Sequence, residues 1–250
     1  MNLNEYRKMR ELEDHYWWFI SRRELALTLL DQILHNANPT LLDVGCGTGA
    51  VLNELEKRGQ AVGIDLSHEA LKFSKERGLN HLVYANAENL PFTDGQFDAV
   101  LSLDTIEHVP NHQAAAAEIY RVLKPGGVFV MNVPAFNWLW GPHDVALMHQ
   151  RRYTTGKVRD LLEIQGFQIQ KISYSVFFLF PAVMLRRLTE KFQRGEAKVK
   201  LPQFSPSTNQ RLTKLMRVEG NLFQTTNLPW GSSVVCVAQK PNITTTKAVK

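Results

Sequence analysis

Leu41-Leu42-Asp43-Val44-Gly45-Cys46-Gly47-Thr48-Gly49-Ala50 is the stretch that decides the fold class. A short run of strand character enters three alternate glycines, and a helical pattern begins at Ala50. Glycine permits positive φ and close backbone approach, and the helix N-terminus beyond offers unpaired N–H groups. Such a turn holds a nucleotide-like ligand at the carboxyl end of a first strand. Three glycines at this spacing favour a bound ligand over an empty turn.

Working outward, short apolar runs alternate with helical stretches. The runs cover residues 41–44, 61–64, 82–85, 98–103 and 128–133, then 167–175 and 233–239. Helical stretches cover 50–58, 67–77, 114–123 and 155–165, and Lys124-Pro125-Gly126-Gly127 reads as a helix stop and turn. Runs that are nearly continuous in apolar residues suit strands covered on both faces, and the alternation means βαβ units. The expected fold class is therefore α/β, a doubly wound sheet of seven strands. Upstream, Glu5 to His15 reads as a charged helix, followed by Tyr16-Trp17-Trp18-Phe19. A second helix carries the stripe Leu25, Ala26, Leu29, Leu30, Ile33 and Leu34, and it stops before Pro39. Residues 176–231 are too long for a hairpin loop. The expected organisation is an N-terminal helical lid at 1–38, a core of 39–176 with 232–240, an insertion or substrate cap at 177–231 and a disordered polar tail at 241–250.

Of the 250 residues, 44% are hydrophobic and 21% charged, which excludes disorder, collagen and coiled coil. The net charge of +5 is too small to argue for nucleic acid. Arg186 to Arg217 holds nine basic and two acidic residues, an excess of +7, so the rest of the chain is about −2. Two cysteines cannot staple a framework, and a reduced, cytoplasmic setting is the default. Met1 to Asp14 lacks the apolar core of a signal peptide. The longest apolar run, Val176 to Leu185, contains Pro181 and falls short of the roughly 20 residues of a spanning helix.

Two ligands compete for the glycine turn. Gly45-x-Gly47-x-x-Ala50 loosely fits a dinucleotide pattern, with Asp65 placed where a ribose-binding acid belongs. Asp43 favours the other ligand. A carboxylate in this turn repels a pyrophosphate but attracts the ammonium and sulfonium of S-adenosylmethionine.

Five ordered segments carry a resemblance: Asp43-Val-Gly-Cys-Gly-Thr-Gly49, Gly63-Ile-Asp65-Leu-Ser67, Ala85-Asn86-Ala87-Glu88-Asn-Leu-Pro91-Phe92, Phe97 to Val109, and Leu123-Lys-Pro-Gly-Gly127. Over Leu41 to Val133 the chain resembles the class I S-adenosylmethionine-dependent methyltransferases. The resemblance implies a Rossmann-like, mostly parallel seven-stranded sheet whose last strand is antiparallel. It implies S-adenosyl-L-methionine as cofactor and S-adenosyl-L-homocysteine as product. The implied cofactor contacts are Asp43, Gly45, Cys46 and Gly47, then Asp65 for the ribose hydroxyls with Leu66, then Asn86, Ala87, Glu88 and Leu103. Asn86 stands where the family usually has an Asp facing the adenine amine; its amide oxygen still accepts. Glu13 to Arg23 and His143 to Tyr153 look like bacterial methyltransferases that accompany saccharide or lipid assembly, which ranks a small-molecule, saccharide or lipid acceptor first.

Further residues have competing readings. Arg22, on a segment folding over the carboxyl edge, is the candidate partner of the methionine carboxylate, against an ordinary solvated arginine. His108 follows the fourth strand and either orients its loop or acts as base; His143 is the second candidate base. The spacing of His143, Asp144 and His149 matches neither a His-Glu-x-x-His helix nor a zinc ribbon, so a polar substrate pocket with no metal is expected. Cys46 has no activating base in its motif and is not a nucleophile candidate. Phe177-Phe178-Leu179-Phe180 beside Arg186-Arg187 reads as buried cap packing, with peripheral membrane contact through 177–217 as the alternative. No Asn-Pro-Pro-Tyr motif of base-modifying relatives follows the fourth strand. The expected chemistry is in-line methyl transfer at oxygen, where His108 or His143 would take the hydroxyl proton. A nicotinamide (NAD(P)) oxidoreductase and a non-catalytic binding module are the alternatives.

Overall fold

The computed structural model describes residues 3–190 and 202–242. Seven strands form one sheet in the order β3-β2-β1-β4-β5-β7-β6. They are β1 (Thr40–Val44), β2 (Gln60–Asp65), β3 (Leu82–Tyr84), β4 (Phe97–Leu103), β5 (Leu123–Pro134), β6 (Gln168–Ser175) and β7 (Ser233–Gln239). The first five run parallel, and β7 lies antiparallel between β5 and β6. The Rossmann-like class expected from the motifs is the class observed.

Alternation along each strand explains the continuous apolar runs. Leu42, Phe129, Met131, Val234 and Cys236 face one layer; Leu41, Val128, Val130, Val235 and Val237 face the other. Successive side chains point to opposite faces, and both faces are covered, so most positions are apolar. The first layer is closed by Ala115, Ile119 and Val122 of α5 (His112–Val122) and by Val158, Leu161 and Leu162 of α7 (Thr155–Glu163). The second is closed by α2 (Trp17–Ile33) through Ala26, Leu27, Leu29 and Leu30, and by Leu52 and Leu55 of α3 (Ala50–Leu55). Thus α2 covers the sheet as well as standing beside the site. The remaining helices are α1 (Leu3–Leu12), α4 (His68–Glu76), α6 (Pro142–Ala146), α8 (Phe180–Glu190) and α9 (Pro206–Thr225).

Two sequence expectations differ in detail. Lys124 to Gly127 is drawn into β5 instead of forming a separate turn. Phe97 pairs with Leu123 and the next pair is Ala99 with Val128, so the extra residues are taken up as a bulge. Among its described residues the segment 176–231 contributes two helices, and the second is tied to the core. Phe223 of α9 is wholly buried in the second layer, and Glu219 accepts from the backbone N–H groups of Val176 and Phe178 at 2.5 and 3.0 Å. Four of the nine basic residues of Arg186 to Arg217, namely Lys191, Arg194, Lys198 and Lys200, lie in 191–201, outside the described residues, as does the tail beyond Asn242. Among the described residues no helix is long and apolar enough to cross a membrane.

The order reverses direction between β1 and β4, and there the carboxyl ends of the strands open a crevice, the usual ligand position of open α/β sheets.

Candidate active site

The glycine turn follows β1 with φ of 76° at Gly45, 56° at Gly47 and 87° at Gly49. The N–H groups of Gly45 and Cys46 both donate to the carbonyl of Ile64 at 2.9 Å, which pins the turn to β2. Asp65, ending β2, accepts from the Gly47 N–H at 3.0 Å with one oxygen and from the Ser67 N–H at 2.9 Å with the other. Each oxygen keeps a lone pair for a ribose hydroxyl. Burial holds this carboxyl above its ordinary range, against the pull of those backbone N–H groups. Leu66, next along, is 58% exposed although apolar.

Arg22, Gly45, Gly47, Asp65, Leu66, Asn86, Ala87, Glu88, Leu103, His108 and His143 all line one cavity of about 1400 Å³. Asp43 and Cys46 do not. The Asp43 carboxylate lies behind the turn, 2% exposed, with one oxygen lacking a partner among the described residues. Burial and then neighbouring Asp65 push it up to about 7, opposed by the Leu52 N–H. Cys46 turns its thiol toward Gly63 and packs with Leu52, so only its backbone belongs to the turn. Two close carboxylates, one with an orphaned oxygen, form a field that a cationic ligand relieves and a pyrophosphate worsens. The residues present therefore fit S-adenosylmethionine. Asn86 bends the third motif into a turn, its amide oxygen accepting from the Glu88 N–H at 3.0 Å with one lone pair remaining.

The N-terminal segment closes this half of the cavity through residues that no sequence motif pointed to. Tyr6 and Met9 of α1 line it; the Met9 Cε stands 2.8 Å from where a β-carbon on Gly47 would be. Burial, then Asp65, pushes the Tyr6 phenol up to about 12. Arg77, after α4, is the latch. It donates to the Thr48 carbonyl at 3.1 Å, to Asp14 at 3.0 Å and to the buried Glu13 at 2.5 Å, joining the end of α1 to the glycine turn. Arg77→Ala is expected to speed tryptic cleavage within 1–16 and to weaken cofactor binding about tenfold, the equivalent of one charge-assisted hydrogen bond. Limited proteolysis and calorimetry check both. Arg22 reaches the same cavity, where it is paired with Asp104. Burial lowers it to about 10, with Glu107 acting the other way.

The opposite half is a polar cluster on the β4 loop and on the segment after β5. His108 and His149 meet edge to face at 4.7 Å between ring centroids, and His143 meets His149 at 6.3 Å. Burial lowers both candidate bases to about 3, assisted by His149 at His108 and by Arg187 at His143, so both are neutral at neutral pH. Asp144 accepts from Arg152 at 2.7 and 3.0 Å, from the Gly141 N–H at 2.9 Å and bonds the His149 Nδ1 at 2.8 Å. The sequence pointed to His143, Asp144 and His149 as one pocket, and they are together. Glu107, unremarked in the sequence as a site residue, lies fully buried among them. Burial raises its carboxyl to about 8, against its own backbone N–H and the arginines Arg22 and Arg152.

Residues 42–131 match the family model described as a methyltransferase domain. An uncharacterised protein of Streptomyces fradiae is 28% identical over 186 residues, covering 70% of this chain and 53% of that protein. The ubiquinone/menaquinone biosynthesis C-methyltransferase UbiE of Bartonella bacilliformis is 41% identical over 101 residues, covering 36% of this chain and 39% of that protein. The chain thus spans about half or less of the length of these curated relatives. A SAM-dependent methyltransferase from Thermotoga maritima has the same fold, with a TM-score of 0.62, 20% identity and 95% of each chain covered. The ordered motifs, the glycine cradle with its two carboxylates and these matches converge: residues 42–131 are similar to a methyltransferase domain, and the chain has the fold of S-adenosylmethionine-dependent methyltransferases.

Proposed function

We propose that this protein transfers a methyl group from S-adenosylmethionine to an oxygen of a small amphiphilic acceptor, a lipid or lipid-linked saccharide. The observation that carries the reading is the continuity of the cavity. At about 1400 Å³ it exceeds the ~300–1,000 Å³ of a site for one small ligand, and it joins the glycine cradle to the Glu107–His108–His149 cluster. Its far wall is largely apolar, made by Trp17, Trp18 and Phe19 of α2, Leu179 before α8, Val183 of α8 and Leu212 of α9. An acceptor with a polar head and an apolar body fits that lining.

The cofactor supplies an electrophilic methyl on a sulfonium, and no covalent bond to the protein is needed. The chain's part is to align the two reactants and exclude water. Asp65 and the glycine turn fix the donor side, while the latched α1 covers it. His108 is neutral and so free to accept a proton from an acceptor hydroxyl; its low basicity makes hydrogen-bond orientation a larger part of its role. Met184, Leu185 and Leu188 stay exposed on α8, while Ala182, Val183, Arg186, Arg187 and Thr189 of the same helix line the cavity, which supports delivery of the acceptor from a membrane surface. The Bartonella bacilliformis relative is a C-methyltransferase of ubiquinone/menaquinone biosynthesis, which favours a second reading: methylation at carbon of a quinone ring.

A methyl-transfer screen across prenyl quinols, glycolipids and free saccharides, read by release of S-adenosylhomocysteine, tests the assignment. Turnover is expected with amphiphilic hydroxyl acceptors and not with free sugars. Calorimetric binding of NAD in place of S-adenosylmethionine would overturn the reading; binding of the latter with no turnover on any acceptor would leave a silent module.

A further inference from the structure

We propose that Glu107, His108 and His149 together bind one divalent first-row transition cation, of the zinc or iron(II) class, in the acceptor half of the cavity. Each residue offers one ligand atom, and the three atoms lie within 4.8 Å of one another. They come from two segments about forty residues apart. The pairing is enforced by Gln150, whose N–H donates to the Glu107 carbonyl at 2.8 Å, and by Arg151, which donates to the carbonyls of Val109 and Pro110.

The surroundings select which atoms are free. Asp144 holds the Nδ1 of His149 at 2.8 Å, so Nε2 points to Glu107, 4.0 Å from its Oε1. The backbone carbonyls of Leu147 and Met148 lie beside the His108 ring. A carboxylate behind an imidazole, as at His149, is the arrangement that orients metal-ligating histidines and raises their ligand strength. Glu107 has both oxygens buried without a hydrogen-bond partner among the described residues. Neighbouring cations are already engaged: Arg152 by Asp144, and Arg22 by Asp104. A carboxyl buried in this way either keeps its proton or gives it up to a bound cation, and both oxygens stay open to one.

Two imidazoles and one carboxylate suit zinc, iron(II) or cobalt(II), not magnesium or calcium, which prefer all-oxygen shells. Around a tetrahedral ion with ligands at ~2.0–2.2 Å the donors stand about 3.4 Å apart, so side-chain shifts of roughly 1 Å close the site. Three protein ligands leave a position open toward the cavity. That this position takes the acceptor's oxygen rests on the methyl-transfer reading, in which a bound cation would replace His108 in easing loss of the hydroxyl proton; the cation site itself does not.

Cobalt(II) titration of the metal-stripped full chain, followed by visible absorption, is the test. One equivalent is expected to bind and to be displaced by zinc. Glu107→Gln and His149→Ala are expected to weaken binding at least tenfold, and His81→Ala, on an exposed ring, to leave it unchanged. Calorimetry with S-adenosylmethionine shows that each variant is folded, and His108→Gln replaces any variant that is not. No saturable cobalt binding by the unaltered chain, or unchanged affinity in the folded variants, overturns the site. Cobalt binding by a chain that does not bind S-adenosylmethionine leaves the site standing and removes the methyl-transfer reading instead.

Discussion

Gly45→Ala is expected to reduce S-adenosylmethionine affinity at least about 100-fold, close to 2.7 kcal/mol, while leaving the sheet intact. A β-carbon there would stand 2.2 Å from the Thr105 Oγ1 and 2.8 Å from its Cβ. The backbone at φ +76° adds about 1–2 kcal/mol of left-handed strain for any L side chain. The turn can relieve both by moving away from Thr105. That movement breaks the paired donation of Gly45 and Cys46 to Ile64 and displaces the Gly47 N–H from Asp65. Because the strain sits in a loop on the cavity wall, the loss falls on binding more than on folding. The double variant Gly45→Ala/Thr105→Gly separates the two contributions: it removes the clash and keeps the strain, so part of the affinity returns. Calorimetry on the three proteins decides it, and a single variant that binds as the unaltered chain does would show that the cofactor lies elsewhere.

The second large effect is on stability. Arg152→Met breaks a buried two-point ion pair and strands Asp144, which is 0% exposed. Removing one partner of a buried pair costs about 3–5 kcal/mol because the other charge stays buried uncompensated. For a chain of this length roughly 2–4 °C accompanies each kcal/mol, so the midpoint should fall by about 10 °C. Arg152 also donates to the Ala135 carbonyl at 2.9 Å, so the segment after β5 loosens where it carries His143 and His149. Replacing both partners, Asp144→Leu/Arg152→Met, should recover part of the stability, since no unpaired charge remains. It should not restore turnover, because His149 loses the carboxylate that orients it. Thermal unfolding with the methyl-transfer assay in parallel separates the two outcomes. A single variant with an unchanged midpoint would mean the pair is not buried in solution.

Between them these effects locate the boundary between what was legible in the chain and what was not. The strand–glycine–helix pattern, the alternation of runs and the positions of Asp65 and Asn86 are local, because each follows from spacing along one strand or one turn. Strands buried on two faces are mostly apolar, so the sheet announces itself in composition alone. The sequence also singled out His108 and His143, and both line the cavity, since both follow strands whose ends open on the crevice. It could not show that Asp43 and Cys46 lie behind the turn, because the direction of a side chain at a strand end depends on what packs beneath it. Nor could it join Glu107 and His108 to His149, or Arg77 to Glu13: these meetings are set by how separate segments cross over the sheet edge. Burial then decides the charge each group carries, and burial is a property of the assembled layers, not of any stretch of residues.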